Sequence, residues 1–151
     1  MMFRLTAALA LLAAPAFAQG PVVEPCGDAT RADTIAEPWE ENTASFGEGR
    51  IRVALLDMIE PAGGAFRLLI VSPPHDEVGF RQCRVVQADN GLGFYNLDFA
   101  GHEASYDPEQ GLVLSLPAQR YTDGDPDDGW YRLSVTIDQQ TGEITTGTAE
   151  E

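Results

Sequence analysis

The chain has no lysine. Its nine basic residues are all arginine, set against 24 acidic ones, for a formal net charge of −15. Contacts to nucleic-acid phosphates need basic side chains, and so does adhesion to anionic headgroups. This balance excludes nucleic-acid binding and peripheral membrane binding. Histidine is nearly absent as well, with two residues. His75 and His102 are far apart in sequence and no helical spacing pairs them, so a zinc-dependent hydrolase has little to build on. No serine sits in a Gly-x-Ser-x-Gly elbow. No Asn-x-Ser/Thr sequon occurs. After residue 18 no apolar run approaches the roughly 20 residues that span a bilayer. A membrane anchor in the mature chain is therefore not expected.

What is present begins at the N-terminus. Arg4 gives a positive start, Leu5 to Ala14 an apolar run, and Ala16-Phe17-Ala18 small residues at −3 and −1 of a cleavage site. That is the layout of a secretory signal peptide over residues 1–18. It predicts an exported protein starting near Gln19. The short leader and the missing sequon favour a bacterial periplasm over the extracellular medium.

The two cysteines, Cys26 and Cys83, then predict a disulfide, since an exported chain keeps paired cysteines oxidised. Cys26 is not a lipid-anchor cysteine. It follows Val23-Glu24-Pro25 and lies eight residues past the predicted cleavage site. Nothing near it offers a base, so a nucleophilic role is not supported either.

Residues 19–49 read as an irregular segment, interrupted by Pro21, Pro25 and Pro38. Asp28 is placed to cap a short helix through Ile35. Trp39, in the acidic run 37–41, reads as a plug docking this segment on the domain or as an exposed partner contact. From residue 50 the pattern has period two. Apolar residues alternate over 50–59, 65–72, 80–87, 92–99, 112–116 and 130–137, with shorter runs at 102–106 and 143–146. Turn-forming clusters separate them. About eight short strands without a long amphipathic helix predict a mostly β domain over 50–147. The expected form is an antiparallel β-sandwich or a small β-barrel. Residues 148–151 are expected to fray.

Several groups are candidates for chemistry. Asp123, Asp125, Asp127 and Asp128 crowd a glycine-containing loop, and oxygen-rich loops of this kind suit Ca²⁺. The first three match the spacing of an EF-hand loop. Asp128 then stands where glycine is required and Ser134 where a bidentate glutamate is. A plain solvated turn explains the same residues. If Ile51, Leu68, Cys83, Val85 and Leu133 face the core, Arg52, Arg67, Arg84 and Arg132 form an outward row. That row would bind an anion or pair with neighbouring acids. Trp39, Tyr95, Tyr106, Tyr121, Trp130 and Tyr131 offer aromatic surface for a sugar or protein partner. Trp39, Trp130 and Tyr131 are the partner contacts favoured by position.

The sequence thus predicts an exported, acidic, disulfide-bonded β domain. Its leading reading is a non-catalytic binding or accessory module of the cell envelope with a protein or glycan partner. A calcium-binding module and a small secreted hydrolase are the alternatives. A cofactor other than Ca²⁺ is not expected.

Overall fold

The period-two segments pair as antiparallel strands in the computed structural model, which describes residues 20–28, 30–89 and 91–150. The proposed signal peptide lies outside the described residues. The described residues form ten strands: β1 (Val22–Pro25), β2 (Thr43–Phe46), β3 (Ile51–Asp57), β4 (Phe66–His75), β5 (Arg81–Gln87), β6 (Asn96–Leu97), β7 (Glu103–Asp107), β8 (Gly111–Gln119), β9 (Trp130–Ile137) and β10 (Ile144–Glu150). They form two sheets of five. The first has the order β1-β5-β4-β3-β2. The second runs β10-β9-β8-β6, with β7 on the same edge of β8 as β6. The sheets do not close on each other, so the fold is a sandwich and not a barrel.

Alternation decides which residues meet between the layers. Ile51, Val53 and Leu55 of β3 and Leu68 and Ile70 of β4 face Leu112, Leu114 and Leu116 of β8. Tyr131, Leu133, Val135 and Ile137 of β9 complete the layer. Each of these aliphatic side chains contributes about 1.5–3 kcal/mol when fully buried. The row is continuous because every second residue of four neighbouring strands is apolar.

Four expectations need correction. Residues 19–49 are not irregular throughout. β1 and β2 lie within them and form the two edges of the first sheet. The expected helix is one 3₁₀ turn, Ala32–Thr34, with no side-chain cap. Pairing continues to Glu150, opposite Tyr131, so the strand does not end at 147. The face of β5 is the reverse of that expected: Val86 pairs with Leu68 toward the core, and Arg84 pairs with Ile70 on that same face. Cys83 and Val85 point to the other side. A run of apolar residues on both faces made the phase of β5 ambiguous.

The outer face of the first sheet is covered too. Ala54, Leu56 and Val85 are buried although they point away from the sandwich. The chain leaves β1 at Cys26, beside β5, and reaches β3 at Ile35, which bridges Leu56. This strap crosses the sheet. The Cys26–Cys83 disulfide fixes its start, with Cα atoms 5.4 Å apart.

The two long sides of the sandwich differ. Where β1 and β10 meet, the Thr146 hydroxyl donates to the Pro21 carbonyl at 2.6 Å, and Val23 and Ile144 pack on the core. That seam is closed. Where β2 faces β7, the sheets separate into a cleft, although Phe46 of β2 still touches the His102 ring edge-on.

Candidate functional site

The richest site lies at the end of the sandwich where β8 passes into β9. The β8–β9 loop contains the acidic run 123–129. Gln119, the last residue of β8, is buried beneath it. The Gln119 amide Nε2 donates to the carbonyls of Pro126 at 2.6 Å and Asp128 at 2.7 Å. The Asp125 carboxylate accepts from the Asp127 amide, and its carbonyl accepts from the Asp128 amide. Gly129 closes the loop at φ +85°. A Cβ there would stand 2.7 Å from the Arg120 carbonyl oxygen, so only glycine fits.

This clamp holds the loop against two aromatic residues. Trp130 and Tyr95 line one cleft of about 420 Å³ together with Asn96, Gln119, Pro126 and Asp127. Tyr121 braces Tyr95 edge-on, with ring centroids 5.5 Å apart. Trp130 opens β9 and points away from the core because its neighbour Tyr131 points into it. The cleft therefore offers flat apolar faces, carboxamides and a carboxylate on a stiff backbone. Small-molecule sites have this composition.

The remaining candidates separate. Tyr131 is not a partner contact. It is 1% exposed, deep in the core, and the Arg120 guanidinium lies over its ring at 4.0 Å. Burial pushes the Tyr131 phenol above its ordinary value, and the Arg120 charge opposes that. Trp39 is 45% exposed and is not the expected plug, nor does it line the Trp130 cleft. Among the described residues no three of His, Cys, Asp and Glu are grouped to hold a metal ion. Asp123, Asp125, Asp127 and Asp128 thus share a loop without converging. Asp125 instead accepts the amides of its own turn. His75 is exposed at the end of β4. His102 sits against the Phe46 and Phe99 rings, with Nδ1 2.7 Å from the Phe99 carbonyl.

The arginines do not form one row. Arg52 and Arg67 share the outer face of the first sheet, Arg84 is on its inner face, and Arg132 is on the second sheet. Arg132 takes the pairing role: it meets Glu103 at 2.8 Å and the Ser115 hydroxyl at 3.0 Å. Arg67 is half-buried under the strap. It donates to Gln87 Oε1 and the Gly91 carbonyl, and loss of hydration lowers its pKa while Glu24 raises it.

Sequence reasoning did not single out Gln119 or Asn96. A glutamine at the end of an alternating strand gives no signal by itself. Its role appears only once the following loop is folded over it. No protein-family model, no curated protein and no solved structure matches this chain.

Proposed function

We propose that the protein is an exported, non-catalytic binding module of the cell envelope, and that it takes a neutral glycan at the Trp130 cleft. The observation that carries this is the meeting of the Tyr95 and Trp130 rings with Asn96, Gln119 and Asp127 around one cleft. A sugar presents C–H faces that stack on aromatic rings, and hydroxyls that need fixed donors and acceptors. Asp127 and the acidic loop disfavour an anionic sugar. Among the described residues lining the cleft, Asp127 is the one carboxylate, whereas glycoside hydrolysis uses a facing pair. That supports binding over hydrolysis.

Export is supported by the leader-like residues 1–18 and by the disulfide, which persists in oxidising compartments. The short leader supports the periplasm.

The test is fluorescence titration of a Trp39→Phe variant, which leaves Trp130 as the reporter. Neutral oligosaccharides of glucose and of N-acetylglucosamine are the probes, with EDTA present. One of them is expected to saturate the signal. Trp130→Ala, followed by calorimetry, is expected to weaken that binding about thirtyfold, on the order of 2 kcal/mol for a buried aromatic anchor. Unchanged affinity in Trp130→Ala, or no binding by any probe, would remove the glycan reading. Binding seen only with added calcium would move the reading to the acidic loop.

A further inference from the structure

The open seam lies at the other end of β8. Leu112 marks it and Gln119 marks the Trp130 cleft, about 24 Å apart by the rise of an antiparallel strand. Its volume is about 480 Å³, within the range of small-molecule sites. Phe46 and Ile51 of the first sheet and Ala104, Tyr106 and Leu112 of the second form apolar walls. Tyr106 pairs with Leu112 on the inner face of the second sheet, yet it is 66% exposed, because no residue of the first sheet covers it.

The polar groups at the mouth are specific. Among the described residues lining this cleft, Arg50 is the one that is charged. On a chain with 24 acids and nine arginines, a cleft bearing a guanidinium and no carboxylate runs against the general charge. The Arg50 Nε donates to the Gly47 carbonyl at 2.9 Å, which anchors the head group. Among the described residues no carboxylate forms an ion pair with it.

Near Arg50, the Gln139 Oε1 atom is buried and accepts no hydrogen bond. An unsatisfied buried acceptor is costly and calls for a donor. Gly47 lies beside both groups at φ +58°. A Cβ on it would stand 3.6 Å from Gln139 Oε1 and 3.7 Å from Arg50 Nη2. The absent side chain leaves room for one carbon in ordinary contact with both a cationic donor and a free acceptor, at the edge of an apolar cleft.

We infer that this seam binds a small amphipathic carboxylic acid whose carboxylate meets Arg50 and whose adjacent N–H donates to Gln139, as an N-acylated amino acid would. The acyl chain enters between Phe46 and Tyr106. The site is independent of the glycan reading, and either stands if the other fails.

Calorimetry on the disulfide-bonded protein tests this with three probes. They are N-octanoylglycine, its methyl ester, which lacks the charge, and N-octanoyl-N-methylglycine, which lacks the N–H. The acid is expected to bind about tenfold more tightly than either analogue, the scale of one hydrogen bond involving a charged group. Arg50→Gln should abolish the preference over the ester alone. Gln139→Leu should abolish the preference over the N-methyl analogue alone. Retained ester binding shows that each variant keeps the cleft. In amide shift mapping, N-octanoylglycine should perturb residues 46–51, 104–106 and 139. Equal binding of the three probes, no saturable binding, or shifts centred on Trp130 would each overturn the inference.

Discussion

Asp138 shows how much one side chain does at a turn. It ends the β9 strand and accepts from the Thr141 hydroxyl at 2.7 Å and from the amides of Gln140 and Thr141. These bonds favour the ionised form, with the Thr141 hydroxyl first, and hold the carboxyl below the usual aspartate range. The contribution to stability is therefore present above the ordinary aspartate pKa and is lost as pH falls through the lowered one. Thr141→Val should move the Asp138 carboxyl back toward the ordinary value, read by carboxyl ¹³C titration. No movement would assign the depression to the two amides alone. Gln139 is the next residue, so this turn also sets the wall of the open seam.

At the scale of elements, the strap from Cys26 to Ile35 has little regular structure to hold it. Its cover over Leu56 and Val85 depends on the disulfide at one end and the bridge to Leu56 at the other. The cysteines are 57 residues apart. Chain entropy gives a bridge of that span about 4 kcal/mol. Cys26→Ser with Cys83→Ser should lower the urea midpoint accordingly. It should also speed amide exchange first in β1 and in the β5 amides that pair with it, while β8 and β9 exchange only with global unfolding. Uniform loss of protection across both sheets would show that the strap has no separate stability.

The same elements show what a sequence reveals. Tyr131, Leu133, Val135 and Ile137 alternate against the polar Arg132, Ser134 and Thr136, and Leu112, Leu114 and Leu116 recur at every second position of β8. β8 and β9 were legible for that reason. β5 was legible as a strand but its phase was not, because Cys83, Val85 and Val86 are apolar on both faces, and period two then gives no phase. β1 and β2 were hidden by their length of four residues and by flanking proline and glycine. The pairing of Cys26 with Cys83 followed from a count of two. Trp130 could be placed by its neighbour Tyr131. Tyr95 and Gln119 could not, since the long-range pairing of β6 with β8 brings them together, with the Tyr95 amide donating to the Gln119 carbonyl at 3.0 Å, and no local pattern encodes that.

Across the whole molecule the net charge dominates. The described ion pairs are few and mostly exposed: Arg31–Asp33, Arg120–Glu150 and Arg132–Glu103. Exposed pairs contribute about 0–1 kcal/mol each. General self-repulsion of a chain at −15 should outweigh them. Raising NaCl from 10 mM to 0.5 M at pH 7 should therefore stabilise the protein. About 1 kcal/mol of gain would raise the melting midpoint by roughly 3–6 °C. A fall in the midpoint would mean that specific ion pairs outweigh the repulsion.

The Thr146–Pro21 hydrogen bond has a practical reach beyond closing a seam. It sets the strands nearest the two termini side by side, along the edge opposite the one that β2 and β7 leave open. A tether attached beside Gly20 or Glu150 therefore leaves from the closed edge, away from the Phe46–Tyr106 mouth, so the described domain can be immobilised there while its cleft still faces solution.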